Sequence, residues 1–351
     1  MKSVTSHSSE SLRRVFIRSD ATGFIGGGHI VRCIALAQEL KARGWQVDFL
    51  TSAITLKLFP QLDSLGFGVE ITAVKNESDE IKLYKGVDLL IIDHYDITSQ
   101  YEAMAAKEVK RLLVIDELGD KRHVCDMLID QTLGRIEDDY VDLVPRETLL
   151  RIGPKFALLR PKFFALREDA RFKRSLETEI QRVVINFGAT DGKSLSPLAV
   201  RALVKSGLRV PVDIIIGGSA RSLNELENMV SSMPFPIKVH VDAPNVAELL
   251  LAADIGIGAS GVGALERCSL GLPSISVVTA MNQSQQALAL SDAGATLNAG
   301  CWREITEESL RAMIYKITQD PSMRSEMSIK CMAICDGKGV NRIAQEIDLW
   351  T

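Results

Sequence analysis

The sequence lacks any run that approaches the ~18 consecutive apolar residues of a membrane span, so we expect no insertion into a membrane. Its first ten residues, MKSVTSHSSE, are polar and lack the apolar segment of a signal peptide. The net charge of −4 supplies no overall basic field that would attract nucleic acid. We therefore expect a cytoplasmic protein that neither inserts into a membrane nor binds nucleic acid.

Cysteine and histidine are also scarce. The six cysteines form no Cys-x-x-Cys pair, which favours free thiols in a reducing compartment. None of the five histidines forms a His-x-x-x-His arrangement, so no metal site is predicted. We expect no metal and no cofactor, and the sequence carries no signal for an oligomeric state.

Short apolar runs alternate with helical patterns over both halves of the 351-residue chain. Examples are Val87–Asp93 (VDLLIID) and Leu112–Asp116 (LLVID) in the first half, and Arg182–Phe187 (RVVINF) and Asp254–Gly258 (DIGIG) in the second. Such runs are typical of parallel strands that are buried on both faces. Polar or small residues follow each run, at the strand edge where open α/β sheets bind ligands.

We therefore predict an α/β protein with two domains and a ligand cleft between them. The stretch from Leu149 to Arg167 changes character, because Gly153-Pro154 and Arg160-Pro161 punctuate it, and it marks the connection. The predicted parts are a flexible tail (1–13), an N-terminal Rossmann-like domain (14–158), a linker (159–180), a C-terminal Rossmann-like domain (181–336) and a C-terminal helix (337–351).

A glycine-rich turn near the amino terminus is the first candidate site. A short apolar run ends in Arg18-Ser19-Asp20, glycines follow at positions 23 and 26–28, and apolar residues recur at helical spacing after His29. A helix N-terminus of this kind suits an anion or a developing negative charge. Glycine turns are common, but packing alone does not easily explain four polar groups around one turn: Arg18, Asp20, His29 and Arg32.

The stretch from Gly258 to Pro273 (GASGVGALERCSLGLP) is the second candidate site. A strand ends there, small residues clear space, and a helix begins with free N–H groups that can hold a diphosphate. Glu266, one turn into this helix, can accept two hydrogen bonds from a ribose diol. The alternative interpretation is an ordinary strand–helix turn with a solvated glutamate.

Both stretches resemble motifs of the UDP-2,4-diacetamido-2,4,6-trideoxy-β-L-altropyranose hydrolases of pseudaminic acid biosynthesis. The resemblance rests on Arg18 to Cys33 and on the E-R-C-x-L-G-L-P block at 266–273, and it continues through Ile92–Tyr95, Val114–Glu117, Gly153–Phe163 and Ile185–Asp191. It implies a GT-B fold, with the sugar against the N-terminal domain and UDP against the C-terminal domain. It also implies a metal-independent, inverting hydrolysis of a UDP-sugar.

The resemblance implies a role for each matching residue. His29 corresponds to the catalytic base, and the expected sugar-side residues are Arg18, Asp20, Gly28, Arg32, Tyr95, Asn282 and Gln283. The expected nucleotide-side residues are Gly188, Asn245, Val246, Ser260, Gly261, Val262, Gly263 and Glu266. Several roles stay open: Asp20 orients His29 or binds sugar, Arg18 and Arg32 touch substrate or pair with carboxylates, and Tyr95 stacks on the sugar or packs.

Two stretches depart from the family pattern. Ser260-Gly261-Val262-Gly263-Ala264 stands where the family usually has Gly-Gly-Ser-Ser/Thr-Thr, so phosphate binding would depend on backbone N–H groups. Gly188-Ala189-Thr190-Asp191 replaces Gly-Gly-Ala-Asp, which allows a different UDP-amino sugar. Two rival functions are a GT-B glycosyltransferase with a UDP-amino sugar donor and a non-catalytic nucleotide-sugar binding protein.

Overall fold

The computed structural model describes residues 12–21, 27–72, 77–176 and 179–350, which form two parallel β-sheets covered by helices. The first sheet has seven strands in the order β3-β2-β1-β4-β5-β6-β7, and the second has six in the order β10-β9-β8-β11-β12-β13. Strands of the first sheet are β1 (Arg14–Ser19), β2 (Gln46–Thr51), β3 (Gly68–Ile71), β4 (Val87–Asp93), β5 (Val109–Ile115), β6 (Met127–Asp130) and β7 (Leu149–Ile152). Those of the second are β8 (Val183–Asn186), β9 (Val212–Ile216), β10 (Ile237–Val241), β11 (Ile255–Ala259), β12 (Ser274–Val278) and β13 (Leu297–Cys301).

Helices connect the strands and cover both faces of each sheet. Those in the first 175 residues are α1 (Gly28–Ala42), α2 (Ala53–Leu58), α3 (Gln61–Ser64), α4 (Glu77–Lys82), α5 (Ser99–Ala105), α6 (Pro161–Ala165) and α7 (Arg167–Ser175). The remainder are α8 (Leu195–Ser206), α9 (Leu223–Val230), α10 (Val246–Ala252), α11 (Val262–Ser269), α12 (Ser284–Asp292), α13 (Glu307–Gln319), α14 (Pro321–Ile334) and α15 (Gly339–Trp350). Short 3-10 helices lie at Glu137–Tyr140, Pro154–Phe156 and Met281–Gln283.

The central strands are buried because successive side chains enter different cores. Val15 and Ile17 of β1 pack in a cluster with α1, whereas Phe16 packs on the opposite face against Tyr84. A strand that is apolar on both faces requires helices on both faces, as the continuous run VDLLIID in β4 predicts. The two-domain parallel α/β architecture predicted from the sequence is confirmed.

The connection between the two sheets is more structured than the sequence pattern suggests. Leu149–Ile152 forms the edge strand β7, which pairs with β6, within the stretch that was expected to link the domains. Its four residues are too few and too exposed to show an apolar run. Beyond β7, Phe163 of α6 and Ala170 of α7 are buried in the core of the second sheet.

The C-terminal helix α15 returns to the first sheet. Val340, Ile343, Ala344 and Ile347 are buried in the same cluster as α1. The chain therefore crosses between the domains twice, once before β8 and once between α14 and α15. No helix in the described ranges combines the length and apolar composition needed to cross a bilayer.

The carboxyl ends of the strands in both sheets open toward a shared cleft of about 840 Å³. The cleft is lined from the first domain by the start of α1 and by residues that follow β4 and β5, and from the second by residues that follow β8 and β11. This is the edge at which parallel sheets bind ligands. It brings together both candidate sites of the sequence.

Candidate active site

The start of α1 carries His29 into the cleft. The helix begins at Gly28, and His29 lines the cleft although only 4% of its surface is exposed. Gly27 precedes the helix, and a methyl group at this position would overlap the ring of Phe59. The close approach between this turn and Phe59 therefore requires glycine. The earlier part of the glycine-rich turn, residues 22–26, lies outside the described residues.

Asp93, the last residue of β4, orients the His29 ring. Nδ1 of His29 is hydrogen-bonded to Oδ1 of Asp93, which is fully buried. An ionised carboxylate can only accept a hydrogen bond, so this contact places the proton of the neutral ring on Nδ1. Nε2 is left with a free lone pair, and it lies 3.9 Å from Oε1 of Glu117.

Arg32 fixes both carboxylates from one turn further along α1. Its Nε and Nη2 atoms donate to the two oxygens of Asp93, each at 2.6 Å, in a bidentate pair. Its Nη1 atom donates to Oε2 of Glu117 at 2.8 Å. The guanidinium thus links the carboxyl ends of β4 and β5 beneath the His29 ring.

This arrangement keeps the acidic groups ionised. Burial alone would raise the pKa of Asp93, but Arg32 and His29 outweigh it and hold that pKa well below its ordinary value. The pKa of Glu117 is lowered in the same way, since Arg32 overcomes the effect of burial. Burial and the adjacent Glu117 carboxylate raise the pKa of Tyr95, which therefore stays a phenol and a hydrogen-bond donor.

Tyr95 and Asn282 complete the wall of the cleft around His29. The Tyr95 ring meets the His29 ring edge to face, with centroids 4.5 Å apart, and its hydroxyl donates to Glu117. Asn282 comes from the second domain, and its Nδ2 atom lies 2.8 Å from the Tyr95 hydroxyl and 2.9 Å from Oε1 of Glu117. The two domains are therefore joined by hydrogen bonds directly beside the imidazole.

The N-terminus of α11 faces the N-terminus of α1 across the cleft. A methyl group at Gly28 would lie 3.9 Å from Cγ2 of Val262, the first residue of α11. Gln286 holds the loop before α11, because its Nε2 atom donates to the carbonyls of Ser260 and Gly261 at 2.6 and 3.0 Å. Free N–H groups and two positive helix ends thus converge on one region of the cleft.

Glu266 lines the cleft from α11 and is paired with an arginine of the connecting segment. Its Oε1 atom accepts a hydrogen bond from Nη2 of Arg160 at 3.2 Å, and Arg160 also lines the cleft. Gln283 turns its Oε1 atom toward the backbone N–H and hydroxyl of Thr279, at 3.0 and 3.1 Å. Its amide nitrogen remains beside Gly261.

Twelve of the residues expected from the sequence line the cleft: Gly28, His29, Arg32, Tyr95, Gly188, Val246, Gly261, Val262, Gly263, Glu266, Asn282 and Gln283. Four others do not: Arg18, Asp20, Asn245 and Ser260. Asn245 is exposed immediately before α10, and the Ser260 side chain is completely buried and has no hydrogen-bond partner in the described structure.

The suggested orientation of His29 by Asp20 is not observed. The Asp20 side chain points toward the end of β2 and the start of α2, where its Oδ1 atom accepts from the backbone N–H of Ser52 at 2.6 Å and from the hydroxyls of Thr51 and Thr55 at 3.0 Å. Its other oxygen pairs with Arg18 at 2.6 Å. Asp93 takes the place beside His29 because β4 is the neighbour of β1 and Asp93 is in register with Ser19. Both arginines of the turn pair with carboxylates, although only Arg32 lines the cleft.

Asp93, Glu117 and Arg160 were not among the expected site residues. The signal for the two acids was present, since Asp93 closes the run VDLLIID and Glu117 follows LLVID at the ligand edge of the sheet. Arg160 carries no such signal, because its place in the cleft depends on how the connecting segment packs. All six cysteines are unpaired, and no group of three or more metal-ligating side chains occurs in the described part of the chain.

Comparison with known proteins identifies relatives with a related architecture. Residues 183–347 match the glycosyltransferase family 28 C-terminal domain. A Campylobacter jejuni protein named UDP-2,4-diacetamido-2,4,6-trideoxy-beta-L-altropyranose hydrolase is 29% identical over 239 residues, which cover 68% of this chain and 81% of that protein. The spore coat polysaccharide biosynthesis protein SpsG of Bacillus subtilis is 23% identical over 322 residues, 91% of this chain and 93% of that protein.

Two further comparisons concern a relative of greater length and a solved structure with a similar fold. An uncharacterized protein of Methanocaldococcus jannaschii is 25% identical over 270 residues, and the match covers 75% of this chain but only 55% of that protein. The crystal structure of MurG from Acinetobacter baumannii superposes with a TM-score of 0.68 at 15% identity and covers 96% of this chain and 99% of that one. These findings confirm the GT-B fold and the resemblance to the UDP-sugar hydrolases.

Proposed function

Because the chain is a GT-B protein related to nucleotide-sugar enzymes of polysaccharide biosynthesis, we propose that it hydrolyses a UDP-2,4-diacetamido-2,4,6-trideoxy hexose. The products are UDP and the free sugar, and the β-L-altropyranose compound of pseudaminic acid biosynthesis is the first substrate to test. The observation that carries the proposal is the pair formed by His29, which lines the interdomain cleft, and the buried Asp93 behind it.

His29 has the properties of a general base for water. Asp93 holds its proton on Nδ1, so Nε2 can accept a proton from a nucleophile. The ring is only 4% exposed and is covered by Tyr95 and by the contact of Asn282 with Glu117. A base that is this deeply buried favours a water molecule over a large sugar or lipid acceptor as the nucleophile.

In this proposal the second domain binds most of the nucleotide. In the proposed complex the diphosphate lies between the N-termini of α1 and α11, where backbone N–H groups and helix dipoles stabilise negative charge. Glu266 accepts hydrogen bonds from the ribose diol, and the uracil lies near Val246, beside Gly188. Ser260 and Asn245 take no direct part through their side chains, since neither lines the cleft.

The chemical step follows from these positions. Nε2 of His29 takes a proton from water while the water oxygen attacks the anomeric carbon on the face opposite to the diphosphate. The bond between the anomeric carbon and the phosphate oxygen breaks, and UDP leaves with the electron pair. Asp93 stabilises the imidazolium that forms. A single displacement of this kind inverts the anomeric configuration, and no metal takes part in it.

Glycosyl transfer is the second candidate, and the match to the glycosyltransferase family 28 C-terminal domain favours it. The same base could deprotonate an acceptor hydroxyl instead of water. A nucleotide-sugar binding protein without turnover is the third alternative. The three differ in what happens to a UDP-sugar when no acceptor is supplied.

The decisive experiment incubates the purified protein with the UDP-2,4-diacetamido sugar alone. Hydrolysis releases one UDP for each sugar consumed, and NMR of the first product shows inverted anomeric configuration. His29→Asn is expected to abolish the release, whereas the control His240→Asn, in which another aspartate-paired histidine is changed outside the cleft, retains it. UDP release that requires an added acceptor supports transfer, and equal consumption by His29→Asn and the wild type excludes His29 as the base.

A further inference from the structure

A buried arginine lies directly behind the proposed phosphate loop. Arg267, on α11, is 1% exposed. Its Nη2 atom donates to the carbonyl of Ala259 at 2.8 Å and to the hydroxyl of Ser276 at 3.0 Å, while its buried Nε atom has no hydrogen-bond partner in the described structure. Its guanidinium therefore touches a loop that lines the cleft without reaching the cleft itself.

The glycines of β11 make room for this side chain. A methyl group at Gly256 would lie 2.9 Å from Cδ of Arg267, and one at Gly258 would lie 2.8 Å from Nη1. These two glycines share a face of the strand, since side chains alternate along it. Gly263, in the first turn of α11, is close to the same Nη1 atom, because a methyl group there would lie 3.6 Å away. The guanidinium thus fills the space between the end of β11 and the start of α11.

The charge of Arg267 lacks a direct counter-charge. Within the described residues its hydrogen bonds go to a carbonyl and a hydroxyl, and no carboxylate forms an ion pair with it. The adjacent Glu266 forms its direct ion pair with Arg160, so its charge offsets the effect of burial on the pKa of Arg267 only in part. A buried cation without an ion-pair partner is costly, and burial lowers the pKa of Arg267. Such a residue destabilises the fold of the ligand-free protein, and an anion that binds nearby offsets this cost.

We propose that Arg267 is a positioning residue for the diphosphate, which it attracts through the loop 259–263 without touching it. The inference rests on the proposed nucleotide site and adds the source of its positive potential. The loop lacks the hydroxyl side chains that would otherwise hold phosphate oxygens, since Ser260 points away from the cleft. The fixed charge behind the loop and the N-terminus of α11 then act on the same anion.

The role of the charge can be separated from that of the hydrogen bonds by two variants. Arg267→Lys keeps the charge, whereas Arg267→Gln keeps a donor for the Ala259 carbonyl but loses the charge. Arg167→Met is the matched control, because Arg167 is also a buried arginine that donates to backbone carbonyls, those of Ser269, Met332 and Cys335, but it lies away from the loop 259–263 and does not line the cleft. Thermal unfolding of each full-length variant establishes that it is folded.

Calorimetric titration with UDP and with uridine measures the contribution of the phosphates. In the wild type UDP is expected to bind more tightly than uridine. We expect Arg267→Gln to lower UDP affinity by about 10- to 100-fold, as for a charge acting over several ångströms of protein with an effective dielectric constant of ~20. Its affinity for uridine should change less than about twofold. Arg267→Lys and Arg167→Met should retain the wild-type ratio of the two affinities.

Any one of four results would overturn the inference. If Arg267→Gln and Arg267→Lys lose UDP affinity equally, or if both lose uridine and UDP affinity in parallel, Arg267 only tethers the loop. If the wild type itself shows no preference for UDP over uridine, the proposed nucleotide site fails and this inference fails with it. A wild-type preference that persists in Arg267→Gln refutes the inference alone.

Discussion

Nδ2 of Asn282 lies 2.9 Å from Oε1 of Glu117, although the two residues belong to different domains. Glu117 also accepts a hydrogen bond from Nη1 of Arg32. Arg32 in turn donates to Asp93, the carboxylate that is hydrogen-bonded to His29. Closure of the cleft and orientation of the proposed base are therefore parts of one hydrogen-bonded network. A substitution at Asn282 should therefore alter the orientation of the His29 ring, even though the two side chains lie in separate domains.

Replacement of Asn282 by aspartate should be more harmful than replacement by alanine. The new carboxylate would face Glu117, whose lowered pKa keeps it ionised, and like charges would separate the domains. We expect kcat/KM to fall about 100-fold in Asn282→Asp and about 10-fold in Asn282→Ala. The control is Gln285→Glu, an equivalent change at a weaker interdomain contact with the Gly134 carbonyl. Equal losses in the two Asn282 variants would contradict the repulsion argument.

Asp93→Asn should impair the chemical step while leaving nucleotide binding intact. An amide in place of the carboxylate can present its NH₂ to Nδ1, which favours the ring form with its proton on Nε2, so the base is lost. We expect kcat to fall by roughly 10²- to 10⁴-fold, the contribution of a general base. UDP affinity should stay within about twofold. Asp88→Asn, at the other end of the same strand, is the control, and an unchanged kcat in Asp93→Asn would refute the assignment.

The fold could be predicted from the sequence because the signals for its strands lie within short, continuous runs of residues. Runs such as Val87–Asp93 are long, apolar and closed by polar residues, and each became a buried parallel strand. The strand Leu149–Ile152 could not be predicted, since its four residues lie at a sheet edge and are mostly exposed or half-buried. Pairing with β6 makes it a strand, and that pairing is a property of the sheet.

The site could be predicted only in part because its pairings are not local. Asp20 is near His29 in sequence, whereas Asp93 is 64 residues away and reaches His29 through the adjacency of β1 and β4. The order of strands in a sheet cannot be derived from the spacing of charged residues. Arg267 could not be identified from the sequence for the same reason. Its proposed role depends on its packing against Gly256 and Gly258 of β11, which is a tertiary contact.

Glu266→Gln should weaken recognition of the ribose more than that of the phosphates. A hydrogen bond to a charged acceptor contributes about 1.5–3 kcal/mol, so we expect UDP affinity to fall about 10- to 100-fold. The wild type should prefer UDP to 2′-deoxy-UDP, and the variant should lose most of this preference. Glu248→Gln, a change at a half-buried glutamate paired with Lys162, serves as the control. An undiminished preference for UDP in Glu266→Gln would exclude contact with the 2′-hydroxyl.

Stability should depend on pH through His123, which lies outside the cleft. Its Nδ1 atom is 2.8 Å from Glu102, and its Nε2 atom is 3.7 Å from Asp116, which also accepts the Tyr140 hydroxyl. Burial alone would lower the pKa of His123, but these two carboxylates outweigh it and raise the pKa to about 9.

The folded protein therefore holds this proton more tightly than the unfolded chain, in which histidine has a pKa of about 6.5. The resulting stabilisation is complete below that value, declines as the pH rises toward 9 and is lost above it. A shift of this size corresponds to at most roughly 3 kcal/mol. Urea unfolding measures this as the difference in the free energy of unfolding between the wild type and His123→Gln. That difference should be smaller at pH 10 than at pH 6, by up to the same amount. The titration of groups that do not interact with His123 cancels in this difference, so free energies that change in parallel with pH in the two proteins would show that His123 is not charged in the fold.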